Sequence, residues 1–232
     1  RAATPAPLIP APPPPLPIGR GRGRGPPPPL LIEWCCNKKS RTTASWLRCK
    51  YGRAKRLGLW NSDLADWVSV ERIIDQGLAH LKQGGQLRVM TALPCKPWCL
   101  MHRVNVIQYA GFALRLRRSR KKSIKMQRLF LRAYERWKEA GGRRVSGAWE
   151  WPRYCDGWKV THNPCVHEIE ELFPLQADFD GCRFGLRHKG KPVKKPWKIR
   201  TDHPPVKTAL HGCLCKRNYK HVRALGSIAR KS

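Results

Sequence analysis

Two short motifs carry the residue types that could react with a substrate. RVMTALPCKPWC, residues 88–99, places Cys95 after a strand-like apolar run, and RVSGAWEWP, residues 144–152, places Glu150 at the end of another. A cysteine thiolate is a strong nucleophile, and a carboxyl group with a raised pKa can donate a proton. If the two strands end side by side, the thiol and the carboxyl group form a reacting pair.

Alternating apolar segments indicate the elements that must position these motifs. The periodicity predicts helices over 70–81, 119–140 and 165–173, and strands over 30–36, 54–60, 87–93 and 145–149. Two further short strands are expected within 177–186 and 194–202, and the polar segment 37–45 is predicted to be a loop. Strands that alternate with helices predict βαβ units. We therefore expect an α/β fold of three layers, Rossmann-like, with a mostly parallel sheet.

Four polar residues fall at or just after the ends of predicted strands. These are Glu33, Asp63, Cys95 and Glu150. In open α/β sheets, ligands bind beyond the carboxyl ends of the strands. The four residues are therefore expected to converge on one edge of the sheet.

The charge of the chain favours a polyanionic partner. Lys and Arg number 47 against 15 Asp and Glu, which leaves a formal net charge of +32 in 232 residues. Such a charge suits nucleic acid, although a merely soluble or poorly folded basic chain is the alternative. The basic face of helix 119–140 could likewise be a nucleic-acid surface or a solvated face. No apolar run approaches the roughly 18 residues of a membrane span.

The composition divides the chain into three parts. Residues 1–29 are rich in Pro with a GRGRGRG run, which predicts a disordered tail of polyproline II character. Residues 30–202 are expected to form the α/β domain, and residues 203–232 a basic segment containing Cys and His. Because the chain begins at Arg1 without Met, we expect a piece of a longer protein.

The ten cysteines are expected to be reduced thiols in an intracellular compartment, because their spacing is irregular and no secretory signal is visible. A tetrahedral zinc site is one use for some of them, with the ligand set Cys182, Cys213, Cys215 and His221. Cys95 and Cys99 could also be ligands in C-x-x-x-C. A Pro-Cys loop after a buried strand fits a nucleophile better.

The motifs LIEWCC, LPCKPWC, WEWPRYCDGW and GCRFGL…KKPWKIRTD together resemble the DNA cytosine-5 methyltransferases, and most closely a divergent retroelement-associated group of unicellular eukaryotes. The resemblance covers roughly residues 30–221. It implies a methyltransferase fold, S-adenosylmethionine as the cofactor, and DNA in the nucleus as the partner.

The resemblance also implies roles for individual residues. Cys95 would add to C6 of cytosine, and Glu150 would hold and protonate N3 of a base that is flipped or single-stranded. Glu33 and Asp63 would contact the cofactor, although Asp63 could instead cap the next helix. Lysine and arginine side chains would contact phosphate or pyrimidine, with Lys96 also lowering the pKa of Cys95; the residues are Lys96, Lys195, Lys198 and Arg200. The tryptophans near them could stack on an unpaired base or pack in the core; they are Trp98, Trp149, Trp151 and Trp158.

Two departures from the family leave two functions open. The glycine-rich cofactor turn is replaced by EWCCNKKSRTT, which contains no glycine, and the segment after Asp202 is too short for a target-recognition domain. The first function is a methyltransferase with Cys95 and Glu150 as catalytic residues. The second is a catalytically inactive nucleic-acid-binding protein with the same fold, serving a mobile element.

Overall fold

The computed structural model describes residues 25–36, 38, 40–216 and 220–223. The predicted Pro-rich tail lies outside this part of the chain, except for residues 25–29, which form neither helix nor strand. The last part of the predicted C-terminal segment, residues 224–232, lies outside it as well.

Strands and helices alternate through the first two thirds of the described chain. The strands are β1 Leu30–Trp34, β2 Arg53–Leu57, β3 Leu87–Thr91, β4 Val145–Pro152, β5 Leu175–Asp180, β6 Arg187–His188, β7 Lys191–Lys194, β8 Pro196–Thr201 and β9 Val222–Arg223. The helices are α1 Arg41–Arg48, α2 Trp67–Lys82, α3 His102–Gln108, α4 Phe112–Gly141, α5 Val166–Leu172 and α6 Pro204–Leu210.

Six of the strands form one sheet in the order β2-β1-β3-β4-β8-β5. The first four are parallel, whereas β8 is antiparallel to both β4 and β5. From β1 the chain moves to β2 on one side and then to β3 on the other. The crevice between the ends of β1 and β3 is therefore the point where the strand order reverses, which is the usual ligand position in such sheets.

Helices cover both faces of this sheet. Trp149 of β4 belongs to the core beneath α2 and α4, while Ala148 belongs to a smaller cluster that includes Val206 and Leu210 of α6. Neighbouring strand residues point to opposite faces, so β4 is buried from both sides. The predicted three-layer α/β fold with a mostly parallel sheet is confirmed.

Two predicted segments differ from what the structure shows. The predicted loop 37–45 contains the start of α1, whose N-terminus is capped by the Ser40 side chain. Helix α4 begins at Phe112, ahead of the start predicted at residue 119. The prediction missed the first turns because none of their residues is buried, so the period of a core-facing helix is absent there.

Among the described residues, none of the helices combines the length and the apolar character needed to cross a membrane.

The contact between α2 and α4 gives a test of the packing. Gly77 of α2 lies where an added Cβ would overlap the indole of Trp137, whose Nε1 donates to the Ile74 carbonyl at 3.0 Å. We expect Gly77→Ala to lower the free energy of unfolding by about 2 kcal/mol, because the overlap outweighs the better helix propensity of alanine.

Denaturant unfolding measures this change, and Asp75→Ala on the exposed face of the same helix is the control. The control is expected to stay within about 0.5 kcal/mol of the wild type. A Gly77→Ala variant more stable than wild type would contradict the packing.

Candidate functional site

The two reactive motifs end beside each other because β3 and β4 are parallel neighbours. Thr91 pairs with Trp149, so Glu150 lies one residue beyond the last paired position of β3. The Trp151 Nε1 donates to the Leu93 carbonyl at 2.6 Å, which joins the two motifs directly. Cys95 then opens a 3-10 turn, with its carbonyl accepting from Trp98 N at 2.9 Å. Thiol and carboxyl group thus lie at the same edge of the sheet.

The carboxyl group of Glu150 is placed where its charge is disfavoured. Burial raises the pKa of Glu150 to about 7; the charge of Lys195 opposes this rise and that of Glu33 adds to it. A carboxyl group with this pKa is partly protonated at neutral pH and can both accept and donate a proton.

The thiol of Cys95 responds to the same charges. Burial raises the pKa of Cys95 above its ordinary value, Lys195 lowers it, and the charge of Glu150 raises it. Cys155 is also close, because charge on Cys95 adds to the burial that raises the pKa of Cys155 to about 12. The motif WEWPRYCDGW contains Cys155 but did not indicate that this residue lies near Cys95. A thiol with such a raised pKa is inert at neutral pH.

Lys195 reaches this edge because β8 runs against β4. Strand β8 begins at Pro196, next to the end of β4, so the residue before it lies at the carboxyl edge. The Lys195 carbonyl accepts from Gly181 N at 2.9 Å, and the Nζ lies 4.3 Å from the Trp197 ring centroid. Burial lowers the pKa of Lys195, and the negative charges of Cys95 and Glu150 act in the opposite direction and raise it. A thiol, a carboxyl group and an ammonium group are therefore coupled.

The other predicted phosphate-binding residues lie elsewhere. Lys96 follows Cys95, but its side chain is exposed, and the cation that lowers the pKa of the thiol is Lys195. Lys198 stands over the Trp158 ring, 5.4 Å from its centroid. Arg200 forms an ion pair with Glu170 of α5, so it is turned toward the helix layer.

Glu33, the first predicted cofactor residue, is buried at 5 % exposure and organises the start of α1. Its carboxylate accepts from Thr43 N at 3.2 Å, from Thr43 Oγ1 at 2.5 Å and from Ser40 Oγ. Between β1 and this helix, Cys35 adopts a left-handed conformation with φ of 60°. A non-glycine residue thus holds the backbone shape that glycine normally supplies in such a turn.

Asp63, the second predicted cofactor residue, lies on the loop before α2, where its carboxylate accepts from Ala65 N at 3.0 Å. The cap of α2 is Asp66, whose carboxylate accepts from Ser69 N. Asp63 lines a cleft of about 1140 Å³ that we call the basic cleft. Its other walls come mainly from residues 113–129 of α4, with Val106 of α3 beside them, and neither Cys95 nor Glu150 lines it.

The tryptophans of the two motifs are mainly core residues. Trp98, Trp149 and Trp151 are at most 1 % exposed, which rules out stacking on a base as they stand. Trp158 is partly exposed and packs edge-on against Trp151 at 5.2 Å between centroids. Of the four, only Trp158 could contact a ligand without rearrangement.

Asp156 is a buried charge that the motif analysis did not single out. The Arg103 Nη2 lies 2.7 Å from its carboxylate, Lys159 Nζ 3.2 Å and Arg120 Nη2 3.9 Å. Burial raises the pKa of Asp156, but the hydrogen bonds from Arg103 and Lys159 lower it below its ordinary value. Asp156 therefore fastens the loop after β4 to α3 and α4. An aspartate inside a Trp-rich motif of an acid-poor chain was the available signal.

Three of the four predicted zinc ligands come together. The ligand atoms of Cys182, Cys215 and His221 lie within 4.8 Å of one another and could hold a metal ion. The thiol of Cys213 is instead directed to the Ala209 carbonyl at 3.6 Å.

No protein-family model, curated protein or solved structure matches this chain. The arrangement of the side chains therefore carries the argument about function.

Charge coupling between the three groups predicts the reactivity of Cys95. We expect Lys195→Met to raise the pKa of the Cys95 thiol and Glu150→Gln to lower it, because one variant removes a positive charge and the other a negative charge. Alkylation at a series of pH values, quantified by mass spectrometry of the Cys95 peptide, measures the thiolate fraction. Below the thiol pKa, Lys195→Met should react more slowly than wild type.

Lys96→Met is the matched control, since it removes an exposed lysine adjacent to Cys95 in sequence. Its alkylation profile should match the wild type. The coupling is contradicted if Lys96→Met shifts the profile and Lys195→Met leaves it unchanged.

Proposed function

We propose that this protein is a methyltransferase that acts on the C5 position of cytosine in DNA, with Cys95 as nucleophile and Glu150 as proton donor. The observation that carries the proposal is the register of β3, β4 and β8, which brings Cys95, Glu150 and Lys195 to the carboxyl edge of the sheet. There the charge of Lys195 lowers the pKa of both Cys95 and Glu150. Addition of a thiolate to C6 requires a proton at N3, and a carboxyl group with a pKa of about 7 is suited to supply it.

Cys95 and Glu150 exchange the proton that the addition to C6 requires. At neutral pH the thiol holds a proton and Glu150 is partly ionised, so Glu150 can take the proton of Cys95 and pass it to N3. The Cys95 sulfur then bonds to C6, which makes C5 nucleophilic. S-adenosylmethionine, when bound, supplies the methyl group that C5 takes up. The C5 proton then passes to solvent water, N3 returns its proton to Glu150, and cleavage of the C6–S bond releases the thiolate of Cys95.

The cofactor is assigned to the crevice between the ends of β1 and β3. Left-handed backbone at Cys35 supports this place, because it turns the chain sharply without a glycine. Glu33 supports it indirectly, since its carboxylate orders the start of α1 beside the crevice. Asp63 belongs to the β2–α2 loop, which follows the neighbouring strand end.

Methyl transfer tests the proposal. With methyl-labelled S-adenosylmethionine and cytosine-containing DNA, single- and double-stranded, we expect label in the DNA at C5 of cytosine. Cys95→Ala should reduce transfer by at least about a thousandfold, because the addition step then has no nucleophile.

Cys155→Ala is the control, since Cys155 lies near Cys95 but has a pKa of about 12. It should retain transfer. A folded wild-type protein that neither binds S-adenosylmethionine nor transfers its methyl group would refute the methyltransferase.

The first half of α4 favours a second candidate, a nucleic-acid-binding protein without catalysis. No Asp or Glu occurs between Asp75 and Glu135, while this half of the helix carries many exposed cations. Apolar side chains including Val106 and Leu116 line the basic cleft, with Arg and Lys around them. Such a surface matches a phosphate backbone carrying partly exposed bases.

Salt dependence measures phosphate contacts. We expect the slope of log affinity against log salt to fall by about 2 in magnitude when Arg117, Arg118 and Lys121 are all replaced by Gln, since each phosphate contact contributes roughly 0.7 to 0.9. The control replaces three exposed lysines outside α4, at Lys50, Lys82 and Lys189. Equal loss of slope in both variants would show that the net charge, rather than α4, binds the nucleic acid.

A further inference from the structure

We propose that Cys182, Cys215 and His221 bind a zinc ion with three protein ligands and one water. The residues come from three separate parts of the chain. Cys182 lies in the 3-10 turn that follows β5, Cys215 lies beyond α6, and His221 immediately precedes β9. A local turn cannot account for their meeting, because 39 positions separate Cys182 from His221.

The distances suit a shared metal. The His221 Nε2 lies 3.2 Å from the Cys215 Sγ and 3.3 Å from the Cys182 Sγ. Tetrahedral zinc, with Zn–S near 2.3 Å and Zn–N near 2.0 Å, separates sulfur from nitrogen by about 3.5 Å. A metal between the three atoms uses all of them.

The donor types select the metal. Two thiolates and an imidazole favour zinc over the oxygen-seeking magnesium and calcium. Two thiolates also cancel the charge of a divalent ion, which matters in a chain with a formal charge of +32 that would repel an unneutralised cation.

Hydrogen bonds outside the ligand set hold its backbone in place. The carboxylate of Asp180 accepts from Cys215 N at 2.9 Å, and Asp180 N donates to the Cys213 carbonyl at 3.1 Å. Asp180 is only 2 % exposed, so this anchor lies within the folded core of the segment. Supporting contacts of this kind fix the orientation of metal ligands.

Cys213 is excluded from the site by its direction. Its thiol donates to the carbonyl of Ala209 in α6, four residues earlier, whereas the thiol of Cys215 contacts His221. Cys182 and His221 are partly exposed, so solvent can reach the fourth coordination position.

The zinc site would fasten the C-terminal segment to the loop that presents Lys195. Gly181, adjacent to Cys182, donates its N–H to the Lys195 carbonyl, and β7 pairs with β9, where Val193 faces Val222. This structural role does not require the methyltransferase proposal, because neither Cys95 nor Glu150 is a ligand of the metal.

Metal analysis of the purified full chain, combined with cobalt(II) substitution, tests the site. We expect one zinc per chain, and a cobalt form whose thiolate-to-cobalt charge-transfer absorption has the intensity of two thiolates. Cys182→Ser, Cys215→Ser and His221→Gln should each weaken zinc binding by at least about a hundredfold. Cys213→Ser and Cys49→Ser, which remove a nearby and a distant thiol, should leave stoichiometry and absorption unchanged.

The cobalt spectrum of the wild-type chain reports the number of thiolate ligands by itself, so the site can be tested even if a ligand variant does not fold. A folded wild-type chain, kept reduced, that takes up neither zinc nor cobalt overturns the site. Loss of one thiolate from the cobalt spectrum of Cys213→Ser would overturn the three-ligand set in favour of four cysteine and histidine ligands. Methyl transfer has no part in any of these readouts.

Discussion

The structure depends on the packing of aromatic rings between the parallel strands and helix α4. Phe130 of α4 contacts Trp34 and Trp149 edge-on, each at 5.3 Å between centroids. Trp34 is the last residue of β1, and Trp149 directly precedes Glu150. Such pairs add to the free energy of burial and restrict ring orientation. Helix α4 therefore fixes the positions of β1 and β4 relative to each other. The residues that follow these strands consequently lie at the same edge of the sheet.

Burial at that edge has two opposing chemical effects. It raises the pKa of Glu150 to about 7, which suits proton transfer, and it also raises the pKa of Cys95, which disfavours the thiolate. Lys195 moderates both effects because it lies near both groups. The antiparallel direction of β8 is essential here, since a parallel strand would start at the opposite edge and carry its preceding lysine away from the site.

Charge is distributed unevenly over the molecule. Near Cys95 and Asp156, cations are paired with the few acidic groups, whereas the first half of α4 presents Arg and Lys with no acid in its own sequence. Cys95 and Glu150 do not line the basic cleft. The two are nevertheless near each other along α4, because Arg120 of the cleft donates to the Pro97 carbonyl at 3.1 Å, two residues after Cys95.

The local pattern of apolar residues was enough to predict several helices and strands. The apolar period over 70–81 predicted α2, and the apolar runs before Cys95 and at 145–149 predicted β3 and β4. Such predictions work because side-chain periodicity follows directly from helix and strand geometry. The sequence did not reveal α1, a short polar helix that depends on hydrogen bonds to the distant Glu33.

The site divides in the same way. Position at the end of a strand was enough to place Cys95 and Glu150 together, since parallel neighbours end at one edge. Long-range contacts determined the rest: Lys195 rather than Lys96 beside the thiol, Arg200 paired with Glu170, and Trp149 in the core. Residue type and local spacing specify what a side chain can do and which element carries it. Its partners depend on strand direction and on which face is covered, and both arise only when distant segments pack.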